Sequence, residues 1–130
     1  MDPLIDAARR VQSRAHVPYS GYRVGAALET DSGEVFTGAN LEVSNYSNSM
    51  HAEALSVAAA VLAGRSSFER LAVSSGVREG VTPCGMCRQT LVEFCDEDLT
   101  VLCDEGDTVA EYTLGTLQPH AFRGESLTDE

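Results

Sequence analysis

The 130-residue chain contains no lysine, and all nine of its basic residues are arginine. Against them stand 20 acidic residues, for a formal net charge of −11. A surface so short of positive charge repels polyphosphates, which argues against nucleic acid as a partner. It argues equally against docking on an anionic membrane. No apolar run approaches the roughly 18 residues that a membrane span needs. The opening residues MDPLIDAARR lack the basic start and apolar stretch of a secretory signal. The expectation is therefore a cytoplasmic, reduced protein. Missing lysine and abundant carboxylate together point to a salt-rich cytoplasm, where screening eases the repulsion among carboxylates.

Neither repeats nor low-complexity blocks divide the chain. Its length fits a single domain over residues 1–130. Hydrophobic residues make up 43% and charged residues 22%, an ordinary globular balance. A domain of this size buries only about two-thirds of its unfolded surface, so self-association would help it.

Leu4, Ile5, Ala8, Val11 and Ala15 recur at helical spacing and predict a helix over 2–15, broken by Val17 to Gly21. Residues 22–29 and 34–39 read as strands joined through Asp31-Ser32-Gly33. A polar stretch from Asn40 to Ser49 follows, the kind of loop that often carries function. The Ala-rich run from His51 to Leu62 predicts a helix ended by Gly64, apolar enough to be buried against a sheet. Further strands are expected at 69–75, 99–104 and 108–113, a helix at 84–95 and a helical turn near 113–117. This order implies an α/β sandwich around a mixed sheet.

Two short motifs stand at predicted helix starts: His51-Ala52-Glu53 and Pro83-Cys84-Gly85-Met86-Cys87. Cys84 and Cys87 lie three apart, on one face of a helical turn. There the helix dipole favours the thiolates that bind metal. Two thiolates and an imidazole make a three-ligand zinc site with one position left for water, which is a catalytic pattern. Glu53 need not ligate and can instead exchange a proton with that water. Taken singly, His51 reads equally as a core histidine and Glu53 as a charge at a helix start. The cysteine pair alone reads as a redox couple or a structural zinc knot. The redox reading leaves His51 and Glu53 without a role. The knot lacks a second pair at similar spacing, since Cys95 and Cys103 read as buried apolar fillers. His16 and His120 are not expected to ligate.

H-x-E followed by P-C-x-x-C resembles the signature of zinc-dependent base deaminases. The likeness to the cytidine deaminase family covers nearly the whole chain. Val17 to Ala27 is similar to the family's P-Y-S-x-F-x-V-G-A-A segment, and Asn40-Leu41-Glu42 to its N-x-E element. Pro83 to Gln89 matches P-C-G-x-C-R-Q, and Leu117 to Phe122 resembles the L-L-P-x-x-F tail. The resemblance implies a three-layer α/β/α sandwich around a five-stranded mixed sheet, with one Zn2+ per chain held by His51, Cys84 and Cys87. It implies hydrolytic deamination of cytidine and 2′-deoxycytidine, with Glu53 as the catalytic acid and base. Asn40 and Glu42 would bind the ribose 3′-hydroxyl. Tyr22 would stack on the base, and the Ala52 amide would meet the pyrimidine carbonyl. Phe122 would reach a neighbouring subunit's site in a homotetramer, a dimer being the other arrangement. Outside the family, Asn40 reads as a strand-end residue, Glu42 as a loop charge, Tyr22 as a strand aromatic and Phe122 as local packing. Related deaminases of blasticidin-like nucleosides, deoxycytidylate or guanine stay open, as does a non-enzymatic zinc module.

Two positions depart from the short tetrameric pattern, which usually has Cys at 51 and Arg at 54 where this chain has His51 and Ala54. Zinc with three thiolates carries a net charge of about −1, which an arginine offsets. With two thiolates and an imidazole the charge is about zero, and the arginine loses its purpose.

Overall fold

In the computed structural model, which describes residues 1–75 and 81–127, five strands form one mixed sheet in the order β2-β1-β3-β4-β5. They are β1 (Val24–Thr30), β2 (Val35–Ala39), β3 (Phe68–Ser75), β4 (Thr100–Asp104) and β5 (Val109–Thr113). The β3–β4 pair is parallel and the other three are antiparallel. The expected hairpin joins β1 to β2, with Gly33 at φ 92° in its turn. Four helices complete the fold: α1 (Pro3–Gln12), α2 (Ala52–Leu62), α3 (Gly85–Phe94) and the short α4 (Leu114–Leu117).

Alternation along the strands explains the layers, because successive side chains point to opposite faces. Ala27, Ala72 and Leu102 face α1 and pack with Leu4, Ile5 and Ala8. Their neighbours Ala26, Leu28, Leu71, Val73, Val101 and Cys103 face the other way and form the larger core with α2 and α3. The result is the expected α/β/α sandwich, with α1 on one face and α2 and α3 on the other.

Helix α1 starts cleanly, with Asp2 Oδ1 accepting from the Leu4 amide at 2.8 Å and Pro3 opening the first turn. It stops at Gln12, short of the predicted Ala15. The Ser13 hydroxyl donates to the Arg10 carbonyl, and the Arg23 guanidinium takes the Ala15 carbonyl at 2.7 Å. Ala15 is buried although it lies beyond the end of the helix. Helix α2 packs against the sheet as expected, through one face. It buries Ala52, Glu53, Ser56, Val57 and Ala60, but Ala58, Ala59 and Leu62 stay exposed, Leu62 at 87%. An outer-layer helix has the sheet on one side only, so an apolar sequence all round cannot be buried all round. Gly64 ends α2 as expected, at φ 87°.

The first turn of α2 lies directly on β2. A Cβ at Gly38 would sit 2.4 Å from the Ala52 carbonyl oxygen and 2.7 Å from the Ser56 nitrogen. No helix among the described residues is long and apolar enough to cross a membrane.

Candidate active site

β2 and β3 both run antiparallel to β1, so they point the same way. α2 follows β2 and α3 follows β3, which starts both helices at one end of the sheet. This is the carboxyl end of the parallel strands, where α/β proteins bind their ligands. His51 is the N-cap residue of α2 and Cys84 that of α3. An N-cap side chain usually accepts from an orphan amide of the first turn. Neither His51 nor Cys84 does so, and both side chains are spent on each other instead.

His51 Nδ1 lies 3.2 Å from Cys84 Sγ and 3.5 Å from Cys87 Sγ. Tetrahedral zinc, with Zn–S near 2.3 Å and Zn–N near 2.0 Å, separates its donors by about 3.5–3.8 Å. The three donor atoms, all within 4.8 Å of one another, would suit such an ion, and no fourth His, Cys, Asp or Glu joins the group among the described residues. Glu53 is buried, and its Oε1 lies 3.6 Å from Cys87 Sγ. Burial raises the Glu53 carboxyl above its ordinary value, opposed by the Cys87 thiol and the Cys84 amide. Burial also raises the Cys87 thiol, and Glu53 and Cys84 push it further the same way. The Ala54 amide, in the first turn of α2, works against that rise. A divalent cation would relieve this crowding of negative groups. Cys95 and Cys103 stand apart, and burial pushes their thiols to about 12 and about 11. Both therefore stay neutral at physiological pH, as fillers do.

A cleft of about 310 Å³ opens above the cluster. His51, Ala52, Glu53 and Cys84 line it together with Asn40, Glu42 and Tyr22. Two backbone pairings tie these segments together. Leu41, between Asn40 and Glu42, exchanges hydrogen bonds with Met50, the residue before His51, at 2.9 and 2.8 Å. His16 brackets the same segment, its amide donating to Asn40 O and its carbonyl accepting from the Glu42 amide. The 40–49 loop is therefore bolted to the metal ligand rather than hanging free.

The Asn40 carboxamide also serves the fold. Its oxygen accepts from the Val24 amide at 3.0 Å and its nitrogen donates to the Tyr22 carbonyl at 2.9 Å. Glu42 is buried, and Oε1 accepts from the Tyr19 and Ser20 amides at 3.0 and 3.1 Å. Oε2 accepts from the Ser20 hydroxyl. Burial works to raise Glu42, yet these donors hold it below its ordinary value and keep it ionised. Ser20 in turn accepts from the Tyr22 amide at 3.0 Å, linking the carboxylate to the aromatic residue.

Phe122 does not enter this cleft. Its side chain is exposed, while its carbonyl accepts from Gln89 Nε2 at 2.8 Å. Ser20, Tyr46, Met50 and Thr82 line the cleft without having been singled out from the sequence. Tyr46 and Met50 lie in or beside the polar 40–49 stretch, and that was the available signal. Ser20 lies in the segment that matches the family's P-Y-S element, and Thr82 stands beside the Pro83–Cys87 motif.

The sequence matches the family profile described as the cytidine and deoxycytidylate deaminase zinc-binding region over residues 2–103. It is 40% identical over 128 residues to a probable cytidine deaminase of Dictyostelium discoideum, covering 98% of this chain and 86% of that one. A cytidine deaminase of Sporosarcina psychrophila is 38% identical, covering 98% of this chain and 95% of its own. The fold superposes with a TM-score of 0.88 on the crystal structure of cytidine deaminase from Burkholderia pseudomallei. That protein is 35% identical, with 94% of this chain and 100% of that one covered.

Proposed function

Because the chain belongs to the cytidine and deoxycytidylate deaminase family, we propose that it is a zinc-dependent cytidine deaminase, converting cytidine and 2′-deoxycytidine with water to the uridines and ammonia. One observation carries this reading. Two of the three clustered metal donors, His51 and Cys84, line one cleft together with a buried carboxylate, Glu53, and a polar pair suited to a sugar, Asn40 and Glu42. Bound zinc supplies a water whose pKa falls from 15.7 towards about 7.

His51, Cys84 and Cys87 hold the ion. Glu53 accepts a proton from the attacking water and delivers it to N3 of the pyrimidine. It then carries the second proton to the departing amine, which leaves C4 as ammonia. Burial and its place beside Cys87 suit one carboxylate to both tasks. The Ala52 amide, at the start of α2, would hold the pyrimidine carbonyl. Tyr22 offers the ring a face. Ionised Glu42 and Asn40 receive the ribose 3′-hydroxyl, a type of contact that discriminates strongly against substrates lacking the group. Each does so with capacity left over from its backbone bonds.

No arginine appears among the described residues lining the cleft, which favours a free nucleoside over deoxycytidylate. The role proposed is pyrimidine salvage. A homotetramer is supported by the apolar side chains that α2 leaves exposed and by exposed Phe122, which does not line its own cleft. In such an assembly Phe122 acts in a neighbour's site.

The deciding experiment measures ammonia from cytidine and from cytidine monophosphate, with and without a zinc chelator. Turnover of the nucleoside that disappears with the chelator is expected. Turnover of the monophosphate alone, or none with zinc loaded, refutes the reading.

A further inference from the structure

The segment Val81–Cys84 carries a metal ligand, yet it lies outside every helix and strand. Among the described residues, the hydrogen bonds to Thr82 and Pro83 come from one side chain. Arg88 Nε donates to the Pro83 carbonyl at 2.7 Å, and Nη2 to Thr82 Oγ1 at 3.2 Å. The third arm, Nη1, donates to the Leu117 carbonyl at 2.8 Å, at the end of α4. The next residue, Gln89, holds the tail a second and third time. Its Nε2 donates to the Phe122 carbonyl at 2.8 Å, and its Oε1 accepts from Gln118 Nε2 at 3.3 Å. Pro83 is fully buried, so its carbonyl needs a protein partner.

Backbone constraints leave this segment few other anchors. A residue before proline is held extended, and Pro83 has no amide to donate. Cys84 itself is extended, at φ −69° and ψ 164°. Hence the Cys84 sulfur is placed by a short extended arm that Arg88 grips on one side and ties to the tail on the other. A planar fork with fixed donor directions can meet three acceptors at once, which a single ammonium cannot.

We propose that Arg88 is a positioning residue for the metal site, fixing the Cys84 arm against α3 and making zinc retention depend on the 114–122 tail. The proposal rests on the zinc reading given above but not on the identity of the substrate. Arg88 does not line the cleft, so its loss acts on the metal and the proton chemistry rather than on nucleoside binding.

The test uses the zinc-loaded protein and reads zinc release to a colorimetric chelator. It also reads the gap in melting temperature between loaded and metal-free forms. Arg88→Ala should release zinc at least about tenfold faster, in line with outer-shell partners of metal ligands, and narrow the gap. Its Co2+-substituted form should show an altered absorption spectrum. kcat should fall while KM for cytidine changes little. Arg88→Lys should lie between the two, and Thr82→Val should show the smallest effect. Arg65→Ala breaks the surface pair with Glu34 and serves as the control that changes none of these.

Wild-type release and an unchanged gap in Arg88→Ala overturn the proposal. Should that variant not fold, the same null result in both Arg88→Lys and Thr82→Val overturns it. Arg88-dependent zinc release in a chain that makes no ammonia from cytidine would instead refute the deaminase reading and leave this one standing.

Discussion

Two clusters of ionisable groups occupy opposite faces of the same sheet, and they are satisfied in opposite ways. On the α1 face, Asp104 is met by a bidentate Arg9 at 2.7 Å on each arm, by the Ser74 hydroxyl at 2.8 Å and by the Gly106 amide at 2.9 Å. Arg9 foremost, then these donors, pull its pKa down to about 2. On the α2/α3 face, Glu53, Cys84 and Cys87 crowd together, and among the described residues no arginine side chain bonds to any of the three. The first cluster is complete within the chain. The second becomes so only with a cation, which is how a structural charge differs from a site. Altering each cluster should therefore have different consequences.

The largest effect belongs to Glu53→Gln. The amide keeps the shape but cannot take a proton, so kcat should fall by about 10⁴-fold, the upper range for acid–base catalysis. Zinc content should stay at one per chain. Substantial turnover in a zinc-loaded Glu53→Gln protein would remove the carboxylate from the mechanism.

Next comes the charge on the ligand set. His51→Cys adds a third thiolate beside buried Glu53, with alanine at position 54 offering nothing to offset it. Activity should drop by about 10- to 100-fold, the scale of perturbing a metal's surroundings. Adding Ala54→Arg should recover part of the loss. Steady-state rates on cytidine at matched zinc occupancy decide it, and a fully active single variant would discard the compensation account.

Asp104→Asn tests the other face. It leaves the metal cluster untouched, so kcat should hold. Stability should fall by about 2 kcal/mol at neutral pH through the weakened Arg9 bonds. The sign with pH is fixed by the depressed pKa. The benefit is full above the ordinary Asp value of 3.8 and is lost as pH falls through about 2. Urea midpoints of the two proteins should converge over that window. Parallel curves down to pH 2 would show that Asp104 is not the group responsible.

The same contrast explains what could be read in advance. The metal cluster is local in sequence, with two motifs of three and five residues at helix starts, so His51, Glu53, Cys84 and Cys87 were legible and the structure brings them together. Strand alternation likewise exposed the five strands to within two residues of their ends. The Asp104 cluster was not legible, because Arg9 and Asp104 are separated by 95 residues and neither lies in a motif. The Leu41–Met50 pairing and the Arg88 grip on Leu117 escape for the same reason, being backbone acceptors that carry no residue signature. Which side of α2 is buried escaped because an alanine-rich helix has little contrast between its faces.

The smallest effect is expected from salt. Five ion pairs among the described residues engage five of the 20 acidic side chains, and salt weakens each of them slightly. The opposing term is repulsion spread over a net charge of −11, which salt relieves. Exposed pairs contribute about 0–1 kcal/mol each, and the Asp104 pair is shielded by burial from most screening. Repulsion among the remaining carboxylates should therefore win, raising the melting temperature by a few degrees between low and molar KCl. In Asp104→Asn, which carries one charge fewer, the rise should be slightly smaller. A melting temperature that falls with KCl would mean that the surface pairs outweigh the repulsion, and the reading of the acidic composition as a salt adaptation would go with it.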